Sequence, residues 1–514
     1  MTSEPGLIGL LYGADWERLS LFAEISDGSS VLVAPGKRYW YRAPDYEAGC
    51  DGVRAWELSE DDDADGADDE VAWTGGPEPP LDRLLCPAWL LNGSRLEVRG
   101  RVRACGREAI DVVMTRRPGR SNEEEPERAE VLVDAELGIL LRVAEPGADG
   151  ESDVTELVSA DFDPVIDPAR FAPPPACQMG EVSSADGPGW WALKTAAGLA
   201  AGGLGAWIRY ASSSRAPHPP DGWTVAEAIP DADPAPELTP EGAPSGPAPS
   251  AELLALLHAG GRDRLAATEH QWLDLAAMAS QVPAGARRAG FGGLGLLMDA
   301  VSDLPAASHL ISAVRLAGPG RYQIDRAYQP GRGPVSLACD GQRLWQVYAD
   351  KITTGPPKPV PRDVARLADP SWLLELRLAG GTHVTLDGRP GYRLSVAAGP
   401  TGRGPLLFPA AVAVIDAELG IILRLTCYLG PKPVQRQELR DIITDDGDFR
   451  VDIPAGLPVT EDTGDARGRR ASPPPSIASF AARQAAAHAA TTARNLLSRF
   501  DPRPPPPGRP PGRR

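Results

Sequence analysis

Short apolar segments with strand-like composition recur along this chain, and turn residues separate them. Leu19–Ile25, Val31–Val33, Arg38–Arg42 and Val53–Leu58 have Pro, Gly, Asp and Ser between them, the punctuation of antiparallel hairpins. Further strands are predicted at Leu96–Ala104, Ile110–Met114, Ala129–Asp134, Gly138–Ala144 and Asp153–Ala160. A second series runs through Val314–Leu316, Arg321–Tyr328, Val335–Tyr348 (broken by an Asp340-Gly341 turn), Thr382–Leu386, Tyr392–Val396, Ala410–Asp416 and Gly420–Tyr428. Before it, Leu253, Leu256 and Leu257, then Trp272, Leu273, Leu275 and Met278, fall at helical spacing, which predicts a helix over Ala251–Val282. Thr268 and Gln271 would cap its second half. Leu294–Leu304 predicts another helical piece. The first series has only the stub Leu7–Leu11, so the second unit reads as the more complete one. Ala-rich helices are predicted after each series, at Trp190–Tyr210 and Ile477–Phe500.

The two series are copies. Asp134-Ala-Glu-Leu-Gly-Ile139 returns letter for letter as Asp416-Ala-Glu-Leu-Gly-Ile421, each followed by two aliphatic residues and an arginine, Arg142 or Arg424. Cys50-Asp51-Gly52 with Trp56 recurs as Cys339-Asp340-Gly341 with Trp345. Pro87-Ala-Trp89-Leu-Leu91 recurs as Pro370-Ser-Trp372-Leu-Leu374, and Cys105-Gly-Arg107 as Asp387-Gly-Arg389. Repeats this long indicate two whole domains of related fold. The expected organisation is copy one over 1–175, an Ala-rich helix and disordered linker over 176–250, helices and copy two over 251–460, and a linker, Ala-rich helix and Pro/Arg tail over 461–514. Ala216–Pro249, rich in Pro, Ala and Gly, is expected to stay unfolded.

Charge and cysteine usage narrow the class. A formal net charge of −18 over 514 residues argues against nucleic acid as a partner. The six cysteines form no CxxC and no Cys/His cluster, and Cys50 and Cys339 sit at equivalent positions, so they read as core residues rather than a disulfide. Met-Thr-Ser-Glu-Pro lacks the basic and apolar regions of a secretory signal, which gives a cytoplasmic expectation. Copy one begins almost at once, so a different start site would change that expectation.

Gly320-Arg-Tyr322 leading to Asp340-Gly-Gln-Arg-Leu-Trp345 has a weaker counterpart in Gly36-Lys-Arg-Tyr39 leading to Asp51–Trp56. The Asp-turn-Gly hairpin is followed by Gln437-Glu-Leu-Arg-Asp-Ile442 and Phe449-x-Val-x-Ile-Pro454, and in copy one by Thr155-Glu-Leu-Val158 and Phe171-Ala-Pro173. This combination resembles the LolA-like superfamily, the bacterial outer-membrane lipoprotein carrier and the periplasmic sigma-factor regulator of the same fold. The resemblance covers both copies. It implies an α+β chain in which each copy is an incomplete antiparallel barrel wrapping a helix, with an apolar cavity that takes acyl chains.

Other chemistry is sparse. Asp61-x-Asp63-x-Asp65-Gly66 opens like a calcium loop, but Ala72 stands where the bidentate glutamate belongs, so Glu60–Glu70 reads as a solvated acidic loop and no metal is expected. Gly290-Phe-Gly292-Gly-Leu-Gly295 matches GxGxxG without the strand–helix context a dinucleotide needs, so no cofactor is expected. Between Lys194 and Arg209 the stretch Thr195–Ile208 falls short of the roughly 20 residues that span a bilayer, so Trp190–Tyr210 reads as a docked or interfacial helix with at most peripheral membrane contact. Glu136 and Glu418 read as solvated turn residues. The six histidines are scattered, and no nucleophile elbow, P-loop or paired-carboxylate motif stands out, so no catalytic residue is assigned. The expectation is a non-enzymatic binding protein whose cavities hold a lipid acyl chain or an amphipathic peptide. Trp56, Trp89, Trp345 and Trp372 would line those cavities, with Arg142 or Arg424 orienting a polar head. The alternative is a cytosolic regulatory or scaffold protein with filled cores that binds another protein.

Overall fold

The computed structural model describes residues 3–59, 81–117, 127–181, 223–274, 307–326, 336–399, 408–444 and 449–461, apart from short breaks inside these ranges. The acidic loop 60–70, the glycine motif 290–295, the helical stretches 190–210, 294–304 and 477–500 and the Pro/Arg tail lie outside the described residues.

Copy one starts with helix α1 (Glu4–Tyr12) and continues through β1 (Leu21–Ile25), β2 (Ser30–Ala34), β3 (Arg38–Ala43), β4 (Tyr46–Asp51) and β5 (Arg54–Ser59). Helix α2 (Leu81–Leu85) and a 3-10 turn, Pro87–Leu91, lead into β6 (Ser94–Ala104), β7 (Arg107–Arg116), β8 (Arg128–Asp134), β9 (Leu140–Pro146), β10 (Ser152–Phe162) and β11 (Gln178–Glu181). These form one 11-stranded sheet in the order β11-β5-β4-β3-β2-β1-β10-β9-β8-β7-β6. Copy two comprises β12 (Trp223–Ala226), α3 (Ala251–Ala259), β13 (Arg264–Leu273), β14 (Ala307–Ala317), β15 (Arg321–Arg326), β16 (Ser336–Asp340), β17 (Leu344–Val347) and β18 (Ile352–Gly355). After α4 (Arg362–Ala368) and the 3-10 turn Pro370–Glu375 come β19 (Arg377–Leu386), β20 (Arg389–Ala397), β21 (Ala410–Asp416), β22 (Ile422–Leu429), β23 (Lys432–Ile443) and β24 (Val459–Glu461). Its sheet runs β19-β20-β21-β22-β23-β13-β14-β15-β16-β17-β18-β24, with β12 paired to β14. Counting from β6 and from β19, the two sheets keep the same order for ten strands. The wrap closes where β10 meets β1 and where β23 meets β13.

Three sequence expectations are corrected. The helix predicted over Ala251–Val282 stops at Ala259, and Arg264–Leu273 is strand β13. Leu265, Ala267 and Glu269 are buried at every second position, so the two-residue period of a half-buried strand prevailed over the spacing of the leucines. The stub in copy one is a helix as long as its counterpart, with Ser3 capping α1 as Ser250 caps α3, so the copies are not unequal there. The linker is not uniformly unfolded. Residues 223–226 pair with β14, Pro230 and Asp233 accept hydrogen bonds from Arg436 and Tyr428, and Pro247 accepts one from Gly380. Buried polar groups on β22, β23 and β19 need those carbonyls.

The repeated hairpin explains its own sequence. Asp134 Oδ1 accepts the turn N–H groups of Glu136 and Leu137 at 2.9 and 2.8 Å, and Asp416 does the same for Glu418 and Leu419 at 2.9 and 2.7 Å. Both carboxylates are fully buried and paired, Asp134 with Arg107 and Asp416 with Arg389. Burial acts to raise these carboxyls, but the arginine and backbone hydrogen bonds outweigh it and hold both below the ordinary range. Gly138, at φ 75°, must be glycine, because a Cβ there would lie 2.2 Å from the Leu10 carbonyl of α1. The turn thereby seats the helix against the sheet.

One apolar core runs through both copies, including Leu7, Ile8 and Leu11 of α1 and Leu253, Leu254 and Leu257 of α3. Each fully buried leucine contributes roughly 1.5–3 kcal/mol of apolar transfer free energy. The copies meet through α1, α3 and the two 3-10 turns. Tyr12 donates to Leu376 O at 3.2 Å and accepts from Leu378 N at 2.8 Å, while His258 Nδ1 lies 3.1 Å from Leu91 O. Arg117 donates to the carbonyls of His258 and Gly260 across the same interface.

Candidate functional site

The sequence-predicted tryptophans are built into the scaffold. Trp56 is buried and donates to Phe171 O at 3.1 Å. Trp89 and Trp372 perform one task in both copies: each indole N–H donates at 3.0 Å to a carbonyl of the preceding helical segment, Arg83 O or Arg366 O, and that residue's guanidinium lies over the ring. Trp345 is half-buried on β17. Arg142 lies 3.6 Å from Glu156, and Arg424 donates to Glu438 at 3.0 Å, again a repeated pair between neighbouring strands. These residues are spread over both sheets and do not converge on one cavity. Cys50 and Cys339 are buried free thiols.

A groove of about 470 Å³ lies instead between the β19–β20 hairpin, β22 and β23. Leu386, Leu423, Leu439, Ile442 and Ile443 supply its apolar part, and Asp387, Arg389, Arg440 and Asp441 its charged part. Its size falls in the range of small-molecule sites, roughly 300–1,000 Å³, which combine apolar walls with a few fixed polar groups. Asp387 and Asp441 have φ of 48° and 50°, the left-handed backbone of a tight hairpin turn and of the bulge within the β23–β13 pairing. Arg389 is held by Asp416 at 2.6 Å, so its guanidinium is fixed at the groove wall.

Arg440 is held by Glu438, to which it donates at 2.7 Å, and lies 3.9 Å from Asp387. Glu438 is fully buried and also accepts from Arg424 and Arg436. Burial acts to raise its carboxyl, but the hydrogen bonds from Arg436 and Arg440 and the charge of Arg424 outweigh that and keep it ionised. Three guanidiniums around one carboxylate leave a net positive centre behind the groove. Arg424 therefore reaches the groove only through Glu438.

Copy one differs at the matching place. In register, Arg107 answers to Arg389, Val158 to Arg440 and Phe162 to Thr444; Phe22 faces Asp161 as Ala266 faces Ile443. Phe162 lies under the Arg107 guanidinium, 4.4 Å from Cζ to ring centroid, and packs against the core. Thr444 is exposed and has no ring to lay against Arg389. Sequence reasoning noted the Cys105-Gly-Arg107 and Asp387-Gly-Arg389 counterparts but not this pair. The signal was there, in a large aromatic replaced by threonine just past the aligned strands.

A second difference lies one strand away. Glu269, buried on β13 opposite Leu439, occupies the place of Ile25 in copy one. Burial pushes its carboxyl up to about 7, Asp363 adds to the rise, and Arg326 and a 3.4 Å hydrogen bond from Gln437 oppose it. On the opposite face Trp272 stacks on His309 at 4.4 Å with Arg436 over it, and His270 Nδ1 lies 3.1 Å from His309 Nε2. No helix among the described residues is long and apolar enough to cross a membrane.

No protein-family model and no curated protein matches the chain. Solved structures do. It is similar to the LolA superfamily protein NE2245 from Nitrosomonas europaea, at 10% identity over 38% of this chain and 94% of that one, TM-score 0.19. It is similar to a putative outer membrane lipoprotein-sorting protein domain from Vibrio parahaemolyticus, at 10% identity over 38% and 93%, TM-score 0.19. The Pseudomonas aeruginosa MucA/MucB complex matches at 13% identity over 46% and 71%, TM-score 0.23. These likenesses concern fold and say nothing of a ligand. The chain's own topology is the one the motifs implied, an open antiparallel sheet around a helix, twice. The cytoplasmic expectation stands corrected to the extent that it conflicts with these likenesses, one of which is to a domain titled as outer membrane lipoprotein-sorting.

Proposed function

We propose that this chain is a non-enzymatic binding protein that holds one apolar chain with an anionic end in the groove of copy two. The observation that carries the reading is the groove beside Arg389, whose counterpart in copy one, Arg107, is stacked on Phe162. Leu386, Leu423, Leu439 and Ile442 would take the apolar chain, a fatty acyl group in the best fit. Arg440 would meet the carboxylate or headgroup, with Arg424 and Glu438 holding it in place. An amphipathic peptide could lay apolar side chains on the same floor. The acyl reading is preferred because Arg389 and Arg440 flank a single apolar surface.

Full-length protein purified from its native host and extracted under denaturing conditions tests this by mass spectrometry. A lipid or fatty acid recovered at one equivalent per chain is expected, together with uptake of one equivalent of a fluorescent fatty acid after delipidation. An empty protein that takes up no fluorescent fatty acid overturns the reading.

A further inference from the structure

Three arginines gather on one face of β13, β14 and β15. Arg264 pairs with Ala317, Ala266 with Arg315 and Arg315 with Gln323, so Arg264 and Arg315 share the face opposite to the core residues Leu265, Leu316 and Tyr322. Arg321 precedes Tyr322 on β15 and therefore projects from the same side as Arg315. Phe449 lies across them: its ring centre is 5.6 Å from Arg315 Cζ and 5.4 Å from Arg321 Cζ. Arg264, Arg315 and Phe449 line one shallow depression there.

Copy one keeps the frame and changes the chemistry. Leu21 pairs with Val33 and Val33 with Tyr39, as Leu265 pairs with Leu316 and Leu316 with Tyr322. Ser20 thus stands for Arg264, Leu32 for Arg315 and Arg38 for Arg321. Arg38 Cζ lies 5.5 Å from the Phe171 ring, the counterpart of Arg321 over Phe449. Leu32, Trp40 and Trp56 pack around Phe171 as a buried apolar cluster. In copy two a second guanidinium takes the place of that leucine. Among the described residues Arg264 and Arg315 pair with no carboxylate, and Arg321 donates only to Phe449 O, at 3.4 Å. The carboxylates nearest in register are engaged: Asp340 accepts the Gln342 and Arg343 N–H groups at 2.8 Å, and Asp325 the Gln323 amide at 3.1 and 3.0 Å. The ring attracts each guanidinium without cancelling the repulsion between them.

We propose that Arg264, Arg315 and Arg321 bind a phosphate group, free or carried on a lipid headgroup, beside Phe449. Guanidinium forks match phosphate oxygens in bidentate geometry, and a phosphate dianion has oxygens for more than one fork. In a chain of net charge −18 such a cluster directs an anion to one place. The depression, about 10 Å³, is too small to enclose a ligand, so the anion sits on the surface and salt weakens its binding. None of these residues lines the copy-two groove, so the inference is independent of the acyl-chain reading.

The test is calorimetric titration of the full-length chain at low ionic strength with inorganic phosphate and with glycerol phosphate, beside acetate. One phosphate binds per chain, added salt weakens it, and acetate does not bind. Sedimentation with phosphatidylcholine vesicles, with and without phosphatidic acid, separates the sources. Capture only by the phosphatidic acid vesicles assigns a lipid headgroup, and phosphate binding without capture assigns a soluble phosphate. Arg264→Ser, at an exposed position, installs the residue of copy one and weakens phosphate about tenfold, as loss of one charge-assisted hydrogen bond would. Adding Arg315→Leu, again the residue of copy one, brings binding to background, and the single variant decides the matter if the double one fails to fold. The proposal is overturned if the wild-type chain binds neither phosphate nor phosphatidic acid vesicles, or binds acetate as tightly as phosphate. It is also overturned if Arg264→Ser, or the folded double variant, binds phosphate as wild type does.

Discussion

Asn92 and Glu375 occupy the same place in the two copies and touch each other: the Asn92 amide donates to the Glu375 carboxylate. Each follows the Pro-x-Trp-Leu-Leu motif of its own copy, so equivalent positions of the two copies meet. Gly93 N donating to Ser371 Oγ at 2.8 Å lies beside it. Duplication has placed one equivalent position against the other, and divergence has made one member a donor and the other an acceptor.

Asn92→Asp sets two carboxylates against each other and removes the donor. It should destabilise the chain by roughly 1–3 kcal/mol, read as a lower denaturation midpoint. The exchanged pair, Asn92→Glu with Glu375→Asn, should recover most of that loss. Failure to recover would mean that the pair does not couple.

Thr444→Phe gives copy two the aromatic that stacks on Arg107 in copy one. Uptake of a fluorescent fatty acid should fall to background with the fold intact by circular dichroism. Phe162→Ala should open copy one, adding a weak second site or a cavity cost of about 3 kcal/mol. Unchanged uptake by Thr444→Phe would remove the groove as the binding site.

Glu269→Gln should alter the pH dependence of stability in a definite direction. A carboxyl whose folded pKa is raised from 4.5 to about 7 binds more protons in the folded state between those values, so stability falls as pH rises through the window. The variant should lose that slope and be more stable than wild type by roughly 3 kcal/mol at pH 8, with the two converging below pH 4.5. Urea titrations at several pH values would check it.

Asp134 and Asp416 run the other way. Their lowered folded pKa values contribute stability that is present above the ordinary aspartate range and lost as pH falls through the folded pKa values. Asp416→Ala strands Arg389 and two turn N–H groups, and should cost about 2–4 kcal/mol in chemical denaturation. Asp134→Ala should cost a similar amount, because Arg107 and the same turn depend on it.

The sequence by itself determined the duplication, the hairpins and the class of fold, because these rest on local rules. Asp134-Ala-Glu-Leu-Gly138 and its copy specify a turn through their own side-chain and glycine chemistry, and alternating strands need only a period of two. It also marked Trp89, Trp372, Arg142 and Arg424 as repeated, though not what each touches. Tertiary structure alone decided that Arg264–Leu273 is a strand, since its pairing with β14 and β23 outweighs the helical spacing of its neighbours. It also decided that part of the linker lies on the sheet, that Asn92 meets Glu375, and that Phe162 stacks on Arg107 while the equivalent Arg389 lines a groove. Each of these depends on residues far apart in the chain brought to one place, and a contact of that kind leaves no periodicity to read.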